Sequence, residues 1–240
     1  MLTDDDVRVP FGKASERAQD FVKHGMLNEL LNLAKEYKNL KEIYLALSKL
    51  TIRNEFCKEI LDCGGVEFLL KSLTDPENNA SLLKSKISLI KAVSGNDDAK
   101  IEIAKQQGIE IIMTVLNRYM KNAPIAEIAC STLASVVLRQ PNHSNIVMEN
   151  GGAELITRVI AVHIENTIVL SSLCLLVRNL VSRVKEHSSA LLERGIEQQL
   201  HMVSNKHEKC ADSVKAALRD LGCHVSLKEE WKGEGRTLAR

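Results

Sequence analysis

The sequence predicts an all-α fold, a right-handed α-solenoid built from three-helix repeats. Three observations predict it. Glycine followed by an apolar residue and a fresh helical pattern occurs at Gly25-Met26, Gly65-Val66, Gly108-Ile109, Gly152-Ala153 and Gly195-Ile196, at spacings of 40, 43, 44 and 43 residues. Each glycine follows a short helical stretch and precedes two longer ones. Aromatic residues make up only 3% of the 240 residues and prolines number four, so aliphatic helices can run uninterrupted and pack closely. Glycine reaches φ > 0 without steric cost, so it is expected to turn each corner from short helix to long. Near-equal spacings with the same flanks mark a repeat array, whose units bury their apolar faces against neighbours.

A period of about 40–47 residues with two or three helices fits armadillo and HEAT arrays, and the short first helix favours the armadillo type. Residues 1–11 read as the remnant of a preceding repeat, because no polar cap stands before residue 12 to close a solenoid end. Residues 12–53 form the first repeat, with helices over 13–24, 26–37 and 40–52, and an apolar face near 12–40 is expected to be exposed. In 54–95, Asn54 is expected to cap a short helix ending at Leu61. Helices over 65–73 and 81–94 follow, separated by the loop Asp75-Pro76-Glu77-Asn78-Asn79. In 96–140, Gly95-Asn96-Asp97-Asp98 is a turn and N-cap signal for a helix over 99–106. Helices over 109–119 and 125–138 complete that repeat, and Pro124 sits at a helix start where its missing N–H matters least. Pro141 opens 141–183 in the same way. There Leu173, Leu176, Val177 and Leu180 recur at helical spacing along one face. The fifth repeat, 184–221, carries helices over 184–194, 196–204 and 208–221. Residues 222–240 form a C-terminal tail in which Val225, Leu227 and Trp231 are spaced to fold back over that repeat.

Composition excludes several function classes. Formal net charge is +1, from 32 basic and 31 acidic residues, which gives no global attraction to nucleic acid or to an acidic membrane. Aromatic stacking platforms for nucleic acid are missing as well. No apolar run reaches membrane-spanning length, and Leu2-Thr3-Asp4-Asp5-Asp6 is the opposite of a signal peptide. The six cysteines include no CxxC pair, which suits reduced thiols and an intracellular setting, cytoplasmic or nuclear. Catalytic signatures of the GxSxG, HExxH and phosphate-loop types are absent from the sequence. His207 and Cys210 stand one helical turn apart near His201, but a zinc site needs about four ligands. No enzymatic activity and no cofactor are expected.

Arg53-Asn54-Glu55-Phe56-Cys57, Gly95-Asn96-Asp97-Asp98, Val177-Arg178-Asn179-Leu180-Val181 and the long block from Lys215 to Val225 resemble the C-terminal half of the armadillo repeat-containing protein 6 family. The segment from Asp4 to Gly12 resembles a stretch that lies mid-chain there. The resemblance implies an armadillo solenoid preceded by further repeats. It carries over no catalytic residues.

Third helices of an armadillo stack line a concave groove. In peptide-binding members such as importin α, a ladder of asparagines clamps a partner's backbone, with tryptophans one turn earlier. Aligning Leu50, Val93, Val136, Leu180 and Leu221 puts Lys49, Ala92, Ser135, Asn179 and Asp220 at the ladder positions, so only Asn179 matches. One turn earlier stand Leu45, Ser88, Ser131, Leu175 and Ala216, with no tryptophan, which argues against a receptor for nuclear-import signals. The third helices together carry a formal charge of +6 against +1 for the whole chain. A basic concave surface focuses its field on what enters it. The expected occupant is a protein partner presenting an acidic, extended peptide segment. Lys49, Arg53, Lys84, Lys91, Arg178, Asn179, Arg183 and Arg219 are the candidate contacts. The expected role is that of an adaptor or scaffold, monomeric, with self-association through the N-terminal end as a variant. The alternatives are a structural subunit assembling through open solenoid ends and a transport-receptor-like cargo binder.

Overall fold

A computed structural model describes residues 14–51 and 53–225. The expected segment 1–11 and the side chains of Leu227 and Trp231 lie outside the described residues. The rest is a stack of helix triplets: α1 (Ala14–Lys23), α2 (Met26–Glu36) and α3 (Lys41–Leu50); α4 (Asn54–Asp62), α5 (Gly65–Thr74) and α6 (Ala80–Val93); α7 (Asp97–Lys105), α8 (Gly108–Arg118) and α9 (Ala123–Val137). Then come α10 (Pro141–Glu149), α11 (Gly152–Val162) and α12 (Thr167–Val181), followed by α13 (His187–Glu193), α14 (Ile196–Lys206) and α15 (Ala211–Leu221), the last entered through a 3₁₀ turn at Glu208–Cys210. The fold is thus an all-α solenoid of the armadillo type. In the fifth triplet the short helix is shorter than its apolar pattern suggested, because Val184, Lys185 and Glu186 form a turn before His187.

The third helices form the spine. α3 packs on α6, α6 on α9, α9 on α12 and α12 on α15. A helix flanked on both sides must be apolar nearly all round. α9 meets that demand, with buried residues from Ile125 through Val137 that include the small Ala126, Ala129 and Ala134. Its first turn is set by Asn122, whose side chain accepts from the Ile125 N–H, while Pro124 occupies an early position that needs no donor. Asn79, Asn96 and Asn166 cap α6, α7 and α12 in the same manner.

Two expectations are corrected at the corners. Asn54 does not cap α4; it is the first helical residue, and its side-chain oxygen accepts from Asn96 Nδ2 at 2.7 Å, tying two repeats together. The left-handed corner also falls one residue earlier than expected in the middle repeats, at Gly64, Gln107 and Gly151. Gly65, Gly108 and Gly152 are there for another reason. A Cβ on Gly65 would lie 2.6 Å from Ile60 Cγ2 and 2.8 Å from the Ile60 carbonyl, and the other two meet Ile103 and Val147 just as closely. The glycine lets the second helix start against the end of the first. Only Gly25 and Gly195 combine the predicted position with positive φ.

A further set of contacts ties each of the last three repeats to the one before. The residues capping the C-termini of α8, α11 and α14 reach back across the stack. Tyr119 Oη donates to the Glu77 carbonyl at 3.0 Å and accepts from the Glu77 N–H at 2.7 Å. His163 Nε2 donates to the Met120 carbonyl at 2.6 Å, and His207 Nε2 to the Ile164 carbonyl at 2.7 Å. Tyr119, His163 and His207 recur every 44 residues, a periodicity present in the sequence but easily overlooked when only apolar residues are followed.

Candidate partner-binding face

The third-helix face brings the candidate contacts into one layer but gives them different tasks. Lys49, Lys84, Lys91 and Arg183 are exposed. Exposed Leu45 and Leu175 stand among them, at 43% and 44%, in the row one turn before the ladder. Ser131 in that row is buried and Ser88 half-buried, so the centre of the face is low and small. Arg53 is half-exposed and lies 3.6 Å from Glu55 Oε1.

The other three candidates are held by neighbouring groups. Arg178 Nε donates to Asp220 Oδ2 at 2.8 Å, joining α12 to α15. Arg219 donates to the other oxygen, Oδ1, at 3.2 Å. Burial alone would push the Asp220 carboxyl up, but the hydrogen bonds from Arg178 and Arg219 outweigh it and hold the group below its ordinary value. Asn179 donates from Nδ2 to the Ala134 carbonyl at 2.9 Å, which ties α12 to α9. At the equivalent place one repeat earlier, Ser94 Oγ donates to Ser135 Oγ at 2.7 Å. The ladder row therefore stitches third helices together.

The charge of the face is smaller than the sequence count. Lys86, on α6, contributes to the +6 of the third helices, yet it is only 5% exposed. Its Nζ lies 3.3 Å from Glu77 Oε2 and 5.9 Å from the centroid of the Tyr44 ring. A buried charge is costly without a partner, and Glu77 on the α5–α6 loop supplies one.

His207 and Cys210 are engaged in packing. The first bonds Ile164, as above, and the Cys210 thiol lies 3.6 Å from the Thr167 carbonyl. Among the described residues no group of three or more His, Cys, Asp or Glu is placed to hold a metal ion. All six cysteines are free thiols. Burial pushes Cys57 up to about 11 and Cys130 and Cys174 up to about 12, so these thiols stay protonated and act as small core residues.

The family model described as ARMC6 matches residues 1–240, the full chain. The chain belongs to the armadillo repeat-containing protein 6 family. It is 46% identical over 252 residues to the human armadillo repeat-containing protein 6, covering 100% of this chain and 50% of that one. The homologue from Drosophila melanogaster is 43% identical over 235 residues, covering 97% and 51%. The chain thus spans about half the length of the curated relatives it matches. Among solved structures, an engineered protein superposes with a TM-score of 0.74 at 20% identity, over 92% of this chain and 93% of that one. A chain from a structure concerned with the interaction between cadherin and beta-catenin gives a TM-score of 0.69 at 15% identity, over 92% and 43%. At such identities the likeness shows the fold alone.

Proposed function

We propose that this chain is a non-enzymatic scaffold module that holds an acidic, extended segment of a partner protein on its third-helix face. The observation that carries this reading is the set of exposed cations Lys49, Lys84, Lys91 and Arg183, together with exposed Leu45 on α3 and Leu175 on α12. Such a surface offers an acidic segment both charge complementarity and apolar anchors. Arg178 and Asn179 shape the floor in this arrangement, while the lysines make the contact. Armadillo-repeat proteins are typically non-catalytic scaffolds, which accords with the reading. Free, mostly buried thiols accord with work inside the cell.

The test is peptide selection on the purified chain from a random, unbiased library. The enriched sequences are expected to be net acidic with at least one large apolar residue. The triple variant K49E, K91E and R183E, with unchanged helicity, is expected to lose them. Enrichment of neutral or basic peptides, or retention by the triple variant, would overturn the proposal.

A further inference from the structure

A second surface lies on the outer layer, away from the third helices. There α5 packs on α8 and α11 on α14, but the step between α8 and α11 is opened by a groove. Its first part is a cavity of about 330 Å³ between one face of α8, Glu110, Thr114 and Asn117, and one face of α11, Glu154 and Arg158. Asn150 closes its end. The groove continues into a hollow of about 610 Å³ that shares Asn117 and Arg158 and is lined further by Arg118, Lys121 and Val162.

The two parts share Arg158 but differ in their other charged groups. At the first, Glu110 Oε2 is buried and has no hydrogen-bond partner. A buried carboxylate oxygen without a donor is costly, and the polar cavity beside it has room for one. Glu154, exposed on the facing helix, adds a second negative charge, partly engaged with Arg194 at 3.6 Å. At the other end Arg118, Lys121 and Arg158 present three cations with no acid among the lining residues, beside Val162 at 45% exposure.

We infer that the α8–α11 groove docks a protein segment that inserts a basic side chain beside Glu110 and lays a carboxylate, next to an apolar residue, against Arg118, Lys121 and Arg158. Glu110 and Arg118 are eight residues apart on α8, about 12 Å at 1.5 Å per residue. An extended segment covers that distance in about four residues, so the basic and acidic side chains fall four positions apart. This partner chemistry differs from that of the third-helix face, whose exposed candidate contacts are the cations Lys49, Lys84, Lys91 and Arg183. The inference does not rest on the function proposed above.

The probe is a capped heptapeptide, Gly-Arg-Ser-Leu-Ser-Asp-Gly, titrated into the isotope-labelled chain at low salt and followed by amide chemical shifts. Shifts are expected around Glu110, Asn117, Arg118, Asn150 and Arg158, with a dissociation constant on the order of 1 mM, the range of weak peptide contacts. E110Q, which keeps size and shape, is expected to raise that constant at least about tenfold, the loss of one charge-assisted hydrogen bond. K91E on the third-helix face is expected to leave it unchanged, whether or not that face binds an acidic segment. Replacing the peptide arginine by citrulline is expected to abolish the shifts. Equal affinity for E110Q, shifts confined to the third-helix face, or no shifts at several times the expected constant would overturn the inference.

Discussion

Replacing Glu77 by glutamine is expected to destabilise the fold by about 3 kcal/mol, the cost of leaving a buried charge without its partner. The side chains of Lys86 and Glu77 are 6% and 19% exposed, so neither is well screened by water. The variant keeps the shape of the loop, including the backbone groups of Glu77 that hold Tyr119, and removes only the charge. Lys86 is then left as a buried cation without its partner. The reverse change is expected to behave differently. K86M fills the same space with an apolar side chain and returns Glu77 to the loop surface, so its effect is expected to stay within about 1 kcal/mol. Tyr44 reports on the same cluster. Burial first, and the Glu77 charge second, push its phenol up to about 12. In E77Q the phenol is expected to titrate at lower pH, readable by ultraviolet absorbance. Urea unfolding of the two variants checks the asymmetry, and equal effects would contradict the burial of the pair.

Replacing Gly152 by valine is expected to cost about 3 kcal/mol, the upper part of the usual range for overpacking. The added Cβ would stand 2.6 Å from both Val147 Cγ1 and the Val147 carbonyl oxygen, and a backbone atom inside a helix cannot swing away. The adjacent Gly151 has open space around its Cβ direction but φ of 79°, so G151A is expected to cost only about 1 kcal/mol of left-handed strain. Gln107 holds the same corner one repeat earlier with φ of 58°. Q107G is therefore expected to stabilise the chain by about 0.5 kcal/mol, the strain relieved less the added chain entropy. Thermal or urea midpoints that rank Gly151 above Gly152 would contradict this division of labour between the two glycines.

The corner glycines show how far the sequence could be read. Their spacing is enough to predict a solenoid, because each repeat must turn at the same place. It does not reveal which of two adjacent residues takes the left-handed conformation, since Gly64-Gly65 and Gly151-Gly152 offer both, and Gln107 takes the role without being glycine. The candidate face was legible in kind, as a basic surface on third helices. Which cations remain available was not legible, because their partners lie about one repeat away. Arg178 meets Asp220, 42 residues on, and Asn179 meets Ala134, 45 residues back. Such pairings depend on the exact register of one helix against the next, which apolar periodicity leaves open. Lys86, one of the cations counted on the third helices, is buried for a related reason. Its burial depends on a loop residue, Glu77, and on Tyr44 of the preceding repeat.

The claim that the third-helix face is an electrostatic docking surface is tested most directly by the salt dependence of binding. An acidic peptide selected on the chain would be labelled and its affinity measured by fluorescence anisotropy between low and moderate salt, on the wild type and on the K49E, K91E and R183E variant. Exposed charges on such a face are screened within about 10 Å at 0.1 M salt. The account predicts that wild-type affinity falls by about tenfold across that range and that the triple variant binds too weakly to measure at any salt concentration. Affinity that is indifferent to salt and retained in the triple variant would contradict it.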